Sequence, residues 1–220
     1  LVRIFRCYRA GETSGIKKNR ITLVFDTPKS ACLGWERSNN FPIFRVDFRG
    51  DRCDSDDAMI DMLVRLYDLP ESHKIYARVA ESGVILRRPG AYEKHLVESF
   101  VREHFSPKWV SEVQVAFSRQ PIACFIATKD QKILGFACYE TTAKGYFGPT
   151  GVAETARGLG LGKALLFKAL EAQREAGYAY AFIGGVGPKE FYAKTVGAVE
   201  IPGSDPGVYV DIIPEPPANS

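Results

Sequence analysis

The chain has 220 residues, of which 45% are hydrophobic, 12% aromatic and 25% charged. This composition is typical of a folded globular protein, and the length allows one large domain with an appendage while excluding a large multidomain protein. The formal net charge of +3 is too small for the whole chain to be an obvious nucleic-acid binder, so any such role would be local.

Cysteine and histidine spacing argues against disulfide and metal chemistry. The five cysteines are widely spaced and form no C-x-x-C pair, which fits a reducing cytoplasm best. The three histidines lack metal-ligand spacing, so we expect no metal. No apolar run reaches the roughly 18 residues of a membrane span, and the first ten residues lack the apolar block of a signal peptide. We therefore expect a cytoplasmic protein with no membrane partner.

Charge divides the chain into three zones. Residues 1–50 carry 10 Lys and Arg against 4 Asp and Glu, and their runs at 21–25 and 41–48 predict a small β-rich unit. Residues 51–83 carry 4 Lys and Arg against 8 Asp and Glu, which makes this segment an acidic connector. Within it, the run D-S-D-D-A-M-I-D-M-L-V-R-L-Y-D-L predicts a helix that ends before Pro70. The remainder is nearly balanced, and only its tail, 214–220, has the composition of a disordered segment.

From Val84 onward, strand and helix patterns alternate. An apolar stripe over 92–105 predicts a helix, and 122–128 with 133–140 predict an antiparallel hairpin. The other expected elements are strands at 84–88, 145–152, 178–183 and 208–213, and helices at 108–118, 158–176 and 188–196. We predict an α/β (α+β) domain over 84–213, with a mixed, mostly antiparallel central sheet flanked by helices.

The stretch G-V-A-E-T-A-R-G-L-G-L-G-K (151–163) places a glycine-dense turn between a strand and a long helix. Unpaired N–H groups and the helix dipole favour an anion there, and the glycines let a phosphate approach the backbone. The spacing fits neither the P-loop, because Ala164 follows Lys163, nor the Rossmann turn, because Lys163 stands where its third glycine would be.

The pattern that does match is R-x-x-G-x-G, starting at Arg157, with Val152 five residues earlier. It resembles the pyrophosphate-binding segment of the GCN5-related N-acetyltransferases. A second block, G-P-K-E-F-Y-A-K-T-V-G-A (187–198), is similar to the short carboxy-terminal helix of that family. The two blocks occur in the family's order, and the resemblance covers about residues 84–213.

The resemblance implies an acyl-CoA N-acyltransferase fold. It also implies acetyl-CoA as cosubstrate and acetyl transfer to a primary amine by direct attack on the thioester. A small acceptor such as an amino sugar or antibiotic is favoured over a protein. In the family's pattern Val152 bonds the thioester arm from a strand that splays from its neighbour, and Tyr192 is the general acid. The implied coenzyme-binding residues are Val152, Arg157, Gly158, Leu159, Gly160, Leu161, Gly162, Lys163 and Tyr192.

Two positions depart from the family's pattern. Some members carry a Glu where this chain has Tyr146, so no general base carries over, and Gly185 replaces a common coenzyme-contacting Asn. Glu140 and Glu112 are the candidate bases, although either could be an ordinary salt-bridging residue. A water chain is another source of the base. A non-catalytic acyl-CoA-binding or interaction module is therefore the alternative reading.

The basic amino-terminal zone leaves two interpretations open. Its interleaved aromatic and basic residues would suit single-stranded nucleic acid, but an ordinary sheet with aromatics inside and charges outside explains the same pattern and is favoured. The sequence leaves a monomer and a homodimer equally open.

Overall fold

In the computed structural model of the protein, residues 60–210 and 212–213 are described, together with four short strands further upstream. The chain divides into two compact units, Leu1–Asp54 and Ser55–Ser220. In the first unit, β1 (Arg3–Phe5) pairs antiparallel with β2 (Thr22–Val24), and β3 (Arg37–Ser38) with β4 (Phe41–Pro42). β2 confirms the strand predicted at 21–25, whereas 43–48 lie outside the described residues, as does the tail at 214–220.

The described part of the second unit is one seven-stranded sheet with helices on both faces. Its strands are β5 (Met62–Arg65), β6 (Ile85–Arg87), β7 (Cys124–Lys129), β8 (Lys132–Tyr139), β9 (Tyr146–Val152), β10 (Tyr180–Ile183) and β11 (Val199–Glu200). Its helices are α1 (His73–Glu81), α2 (Lys94–His104), α3 (Pro107–Phe117), α4 (Leu161–Glu175) and α5 (Lys189–Val196). The strand order is β11-β5-β10-β9-β8-β7-β6, and only the β9–β10 pair is parallel. The predicted mixed, mostly antiparallel sheet is thus confirmed.

Local signals explain why several elements begin and end where predicted. The stripe over 92–105 becomes α2, which buries Val97, Phe100 and Val101. The next helix, α3, starts at Pro107 behind Ser106, whose hydroxyl accepts a hydrogen bond from the Trp109 N–H. Both residues are favoured at a helix start, the proline because it lacks an N–H and the serine because it caps one.

The helix predicted before Pro70 is wrong. Met62–Arg65 form β5, in which Met62 and Val64 are buried, and the helix of this segment, α1, lies after Pro70. β5 pairs antiparallel with β10 on one side and β11 on the other. These long-range pairings override the local helical signal, because four residues alternating towards and away from the core fit a strand between two partners. This segment is therefore part of the sheet rather than a helical connector.

The strand predicted over 208–213 is also wrong. Among the described residues the last strand is β11, and 201–210 fold into turns in which the Ser204 N–H donates to the Ile201 carbonyl and the Tyr209 N–H to the Pro206 carbonyl. The residues just before 208 favour turns, because Gly203 and Gly207 have φ values of 74° and 61° and Pro202 and Pro206 lack an N–H for a ladder. The turn segment instead folds back over the end of the sheet near Asp61, whose N–H donates to the Ser204 hydroxyl.

The core lies between the sheet and α4. This helix buries nine residues against β7, β8 and β9, and its Leu165 is completely buried. Beneath it, Gly135 of β8 gives the close approach that this packing needs, because a Cβ there would lie 3.1 Å from the Leu165 side chain.

We predict that Leu165→Ala lowers the free energy of unfolding by about 2–5 kcal/mol, because it opens a cavity in this core. Leu96→Ala removes the same atoms from α2, where the side chain is 50% exposed, and should cost less than about 1 kcal/mol. Urea unfolding followed by far-ultraviolet circular dichroism measures both. Equal losses in the two variants would contradict the assigned core.

Candidate active site

The parallel strands β9 and β10 pair over only two positions. Tyr146 lies opposite Phe182 and Phe147 opposite Ile183, after which β10 ends. β9 continues to Val152, and on its other side it remains paired with β8 as far as Val152. We call the opening between 148–152 and 184–186 the wedge. The splayed strand that the family resemblance implied is thus present.

Asp61 lies at the narrow end of the wedge and holds the chain beyond β10 away from β9. Its Oδ1 accepts a hydrogen bond of 3.1 Å from the Gly185 N–H, and the next N–H, that of Val186, donates to the Ile60 carbonyl at 3.1 Å. Its Oδ2 accepts a 2.9 Å bond from the Tyr146 hydroxyl. Asp61 is 3% exposed. One buried carboxylate therefore joins both strands where they part.

The edge of β9 that faces the wedge carries backbone groups with no partner among residues 60–210. The Ala153 N–H donates to the Leu134 carbonyl at 2.9 Å, which is the direction of β8. Because successive N–H groups of a strand point to opposite sides, the N–H of Val152 points into the wedge, and so does that of Thr150. Val152 therefore presents a backbone donor to the wedge.

An irregularity in β9 changes the face of the sheet on which its side chains lie. Ala137 and Tyr139 of β8 lie two residues apart, but their partners Thr150 and Phe147 lie three apart, so β9 holds one extra residue there. Such a bulge reverses which face later side chains occupy. Phe147 contacts Tyr192 of α5, with ring centroids 6.3 Å apart. Tyr146, its neighbour, therefore lies on the opposite face, which is the α3 side.

A turn with free amides follows β9. The first backbone bond into α4 runs from the Ala164 N–H to the Gly160 carbonyl. In the described part of the chain, no acceptor is found for the six N–H groups of 158–163. The Arg157 N–H instead donates to the Glu154 carbonyl, and the Arg157 guanidinium pairs with Glu154 at 3.4 Å on the surface. The predicted amide cradle therefore begins at Gly158, not at Arg157.

Two glycines shape this turn. Gly158 and Gly160 have φ values of 87° and 81°, and a Cβ at either would meet nothing within 4 Å. The left-handed backbone favours glycine, while the open space above it leaves room for a ligand against the N–H groups. An anion is the ligand that such a cluster of donors at a helix start binds.

A basic groove of about 280 Å³ adjoins the turn. Leu159, Gly160 and Lys163 form one wall, and Lys74 and Arg78 of α1 lie on the other. α1 is fixed to α4 because Glu171 accepts hydrogen bonds from the Ser72 hydroxyl at 2.5 Å and the Tyr76 hydroxyl at 2.7 Å. Three cations therefore surround the amides of the turn.

Tyr192 lies on α5 with its ring packed on Phe147 and Phe191. It is 7% exposed, and burial raises the pKa of its phenol to about 12. Among the described residues, no hydrogen-bond partner is found for its hydroxyl, so the neutral phenol is available as a proton donor on the α5 side of β9.

The two predicted bases occupy different surroundings. Glu140 has both carboxylate oxygens engaged, one by the Gly145 N–H and the other by the Tyr178 hydroxyl at 3.0 Å, so it closes the turn before β9. Glu112 of α3 accepts a hydrogen bond from Thr142; burial raises the pKa of Glu112, and that hydrogen bond opposes the rise. Of the two, Glu112 is the one that lies near the α3 side of the wedge.

Tyr209, from the turns after β11, links Glu112 to the narrow end of the wedge. Burial raises the pKa of its phenol, and the nearby carboxylates of Glu112 and Asp61 add to the rise. A Cβ on Gly184 would lie 2.7 Å from the Tyr209 hydroxyl and 2.9 Å from the Tyr146 ring. The α3 side of the wedge therefore holds two tyrosines and two carboxylates.

Sequence reasoning missed four of these residues: Asp61, Tyr209, Lys74 and Arg78. Each reaches the site from a segment that lies far from the glycine turn in the sequence and carries no motif. The sequence pattern places Asp61 inside the helix predicted before Pro70. Only the pairing of β5 with β10 brings it to Tyr146, 85 positions away.

Residues 60–210 and 212–213 contain no group of three or more His, Cys, Asp or Glu side chains that could hold a metal ion. None of the helices described is long and apolar enough to cross a bilayer.

Comparison with known proteins agrees with this geometry. Residues 90–197 match the model of the acetyltransferase (GNAT) family. A fungal structure, the GCN5-related glucosamine N-acetyltransferase region of a multi-domain GH3 β-N-acetylglucosaminidase, superposes with a TM-score of 0.57 and 18% identity, over 67% of this chain and 20% of that one. A GCN5-related N-acetyltransferase from Sphaerobacter thermophilus superposes with a TM-score of 0.51 and 18% sequence identity, over 66% of this chain and 49% of that one. At these identities the structures show the fold. Among curated proteins no match is found.

The buried phenol of Tyr192 makes a pH-dependent contribution to stability. Its pKa is about 12 in the folded chain against 10.0 for a free tyrosine, so the folded state holds this proton more tightly. The stabilisation is complete below pH 10 and is lost as the pH rises towards 12. Between pH 9 and 11, the free energy of unfolding should fall about 1 kcal/mol further in the wild type than in Tyr192→Phe. Parallel pH profiles in denaturant titrations would contradict the burial of this hydroxyl.

Proposed function

Residues 90–197 belong to the GNAT acetyltransferase family, and from this premise we propose that the protein transfers an acetyl group from acetyl-CoA to a primary amine. The observation that carries the proposal is the wedge with its adjoining turn. A strand edge with free N–H groups leads directly into six free amides and a basic groove. A thioester on a long polyanionic carrier needs a hydrogen-bonding strand edge for its acyl arm, followed by amides and cations for its phosphates. A cytoplasmic location is part of the same proposal.

The polyanionic part of the coenzyme would lie on the turn and the groove. The amides of 158–163 would bind the pyrophosphate, with Lys163 adding a charge. Lys74 and Arg78 would face the phosphate at the adenosine end, because the pantetheine arm must leave the turn in the other direction, towards Val152. Arg157 has no part in this cradle beyond its position at the start of the turn.

The reaction needs a polarised carbonyl, a neutral amine and a protonated leaving group. The Val152 N–H points into the wedge, where it would donate to the thioester oxygen as negative charge develops. The amine nitrogen forms a bond to the carbonyl carbon, and the carbon–sulfur bond then breaks. The thiolate takes the proton of the Tyr192 hydroxyl, whose neutral form is maintained by burial. The nitrogen loses its extra proton to solvent as the amide forms, and solvent returns a proton to the Tyr192 oxygen, so the enzyme ends in its starting state.

The two faces of β9 separate these tasks. Tyr192 and Phe147 lie on the α5 side, while Tyr146 and the carboxylates lie on the α3 side. The sulfur would therefore lie towards α5, and the acceptor would enter from the α3 side. We propose a small amine as acceptor, because the turns carrying Tyr209 cover this side. Glucosamine is one suitable probe, since the fungal structure is described as a glucosamine N-acetyltransferase region.

Coenzyme binding is tested by placing a carboxylate in the turn. Gly160→Glu should weaken acetyl-CoA binding at least about 100-fold, because like charges would face each other. Gly177→Glu is the matched control, since Gly177 at the other end of α4 also has a positive φ, 95°, and open space around its Cβ. Isothermal titration calorimetry should show its affinity within about twofold of the wild type. Equal effects of the two variants would place the coenzyme elsewhere.

Catalysis is tested by release of free coenzyme thiol with a panel of amines: glucosamine, an aminoglycoside, a polyamine and an amino acid. Tyr192→Phe should lower kcat about 10- to 100-fold and leave acetyl-CoA affinity within about threefold, because the hydroxyl acts on the leaving group. Tyr92→Phe, at a side chain 81% exposed, is the control. Tight acetyl-CoA binding with no thiol release from any amine would instead favour the non-catalytic acyl-CoA-binding module.

A further inference from the structure

The proposed reaction requires a proton acceptor, and β9 carries no carboxylate. At the position where some relatives have a Glu, this chain has Tyr146, whose hydroxyl donates to Asp61 at 2.9 Å. Asp61 comes from the segment just before β5, outside the part of the chain that matches the family. The carboxylate missing from β9 is therefore present one hydrogen bond away.

The position of this pair suits an incoming amine. Tyr146 is the last residue but one at which β9 and β10 are paired, so it lies where the wedge closes. It is on the α3 face, opposite to Tyr192. An amine that enters from this face meets the phenol before it reaches the thioester, while the leaving sulfur is on the other face.

The pair is held in one geometry. The Gly185 N–H fixes Asp61 Oδ1, which leaves Oδ2 directed at the Tyr146 hydroxyl. Burial and the hydrogen bond to Asp61 raise the pKa of Tyr146 to about 12, so the phenol is neutral in the ordinary range of pH. A neutral phenol that donates to a carboxylate keeps lone pairs on its oxygen, and these can accept a proton from an ammonium group.

We infer that Tyr146 and Asp61 together take the proton that the acceptor ammonium must lose before it attacks, an inference that rests on the proposed acetyl transfer. The ammonium donates a proton to the Tyr146 oxygen as the Tyr146 proton passes to Asp61 Oδ2. The products are a neutral amine, an intact phenol and a neutral carboxylic acid, so one cation and one anion disappear together. Asp61 acts through Tyr146 and returns the proton to solvent after transfer.

The charges around the pair define the class of acceptor. Asp61 and Glu112 lie on this side, and both raise the pKa of the Tyr209 phenol through their charge. The Tyr146 ring packs on Phe182, with centroids 5.4 Å apart. Two carboxylates lined by aromatic rings attract an ammonium and repel an anion. The pair therefore selects primary amines that are cationic in solution, and it gives little advantage to nucleophiles that are already neutral.

A purely structural role for Asp61 has to be separated from this one. Its backbone N–H donates to Ser204, and its carbonyl accepts from the Ile201 N–H, so Asp61 also organises the turns after β11. A variant that merely loosened this region would slow every acceptor equally. The discriminating readout is therefore the ratio of rates for two acceptors of the same shape and different protonation.

Ethylamine and methoxyamine form such a pair. Ethylamine has a methylene group where methoxyamine has an oxygen atom, so the two molecules have nearly the same shape. At pH 8 ethylamine is a cation, like a lysine side chain with a pKa of about 10.4, whereas methoxyamine is neutral. The experiment measures thiol release from acetyl-CoA with each acceptor, in the wild type, Asp61→Asn and Tyr146→Phe. Thermal unfolding and acetyl-CoA affinity check each variant. Asp68→Asn, at an exposed carboxylate beyond β5, is the control.

We expect both variants to lower the ratio of the ethylamine rate to the methoxyamine rate by about 30-fold or more, in line with the usual contribution of a general base, and Asp68→Asn to leave it at the wild-type value. A ratio unchanged in both variants overturns the inference, because the loss is then structural. So does a wild type that acetylates methoxyamine and not ethylamine. A wild type that binds acetyl-CoA and acetylates neither acceptor overturns the proposed catalysis itself.

Discussion

The structure of the site depends on the carboxylate of Asp61, which joins β9 and the chain beyond β10 at the point where the two strands part. Parallel strands that stay paired satisfy each other's backbone groups. Here the segment after β10 is bonded to Ile60 and Asp61 instead, so the outer edge of β9 lacks a partner. An unpaired strand edge of this kind is a ready site for another hydrogen-bonding chain. That constraint turns the centre of a closed sheet into a site for an extended, hydrogen-bonding ligand.

The neighbouring elements follow from this opening. Because successive side chains of a strand alternate, Tyr146 and Phe147 lie on opposite faces, so that the proton donor on α5 and the acidic side near α3 are separated by the strand itself. Where β9 ends, the chain turns through Gly158 and Gly160 into α4, whose first amides are free. α1, fixed to α4 through Glu171, brings two cations to the same place. Neutral donors, cations and carboxylates thus occupy separate parts of one continuous surface.

The sequence predicted the elements whose signals are local. The stripe of α2, the hairpin of β7 and β8, and the glycine turn before α4 each lie within about twenty residues, and the family motif at 157–162 identified the fold. The prediction for 62–65 was wrong because distant strands pair with that segment, and the prediction for 208–213 was wrong because the turns over 201–210 occupy its first part. Periodicity over a short window cannot report such pairings.

The residues of the site also divide into those with a local sequence signal and those placed by distant contacts. The turn and Tyr192 could be located from motifs, whereas Asp61 had no motif and its contact with Tyr146 spans 85 positions. The sequence offered two glutamates as bases, Glu140 at the end of a predicted strand and Glu112 in a predicted helix. In the structure Glu140 closes a turn, and Glu112 lies on the acidic side without touching β9. Which carboxylate meets the wedge is determined by strand order, which the sequence does not display.

The central claim is that the unpaired edge of β9 and the amides that follow it bind the coenzyme. Hydrogen–deuterium exchange with and without acetyl-CoA tests it most directly, because it reads those N–H groups themselves. The account predicts that acetyl-CoA slows exchange at Thr150, Val152 and 158–163, while the amides of α2 on the far side of the sheet are unaffected. Unchanged exchange at these positions under saturating acetyl-CoA, or protection confined to another part of the chain, would contradict it.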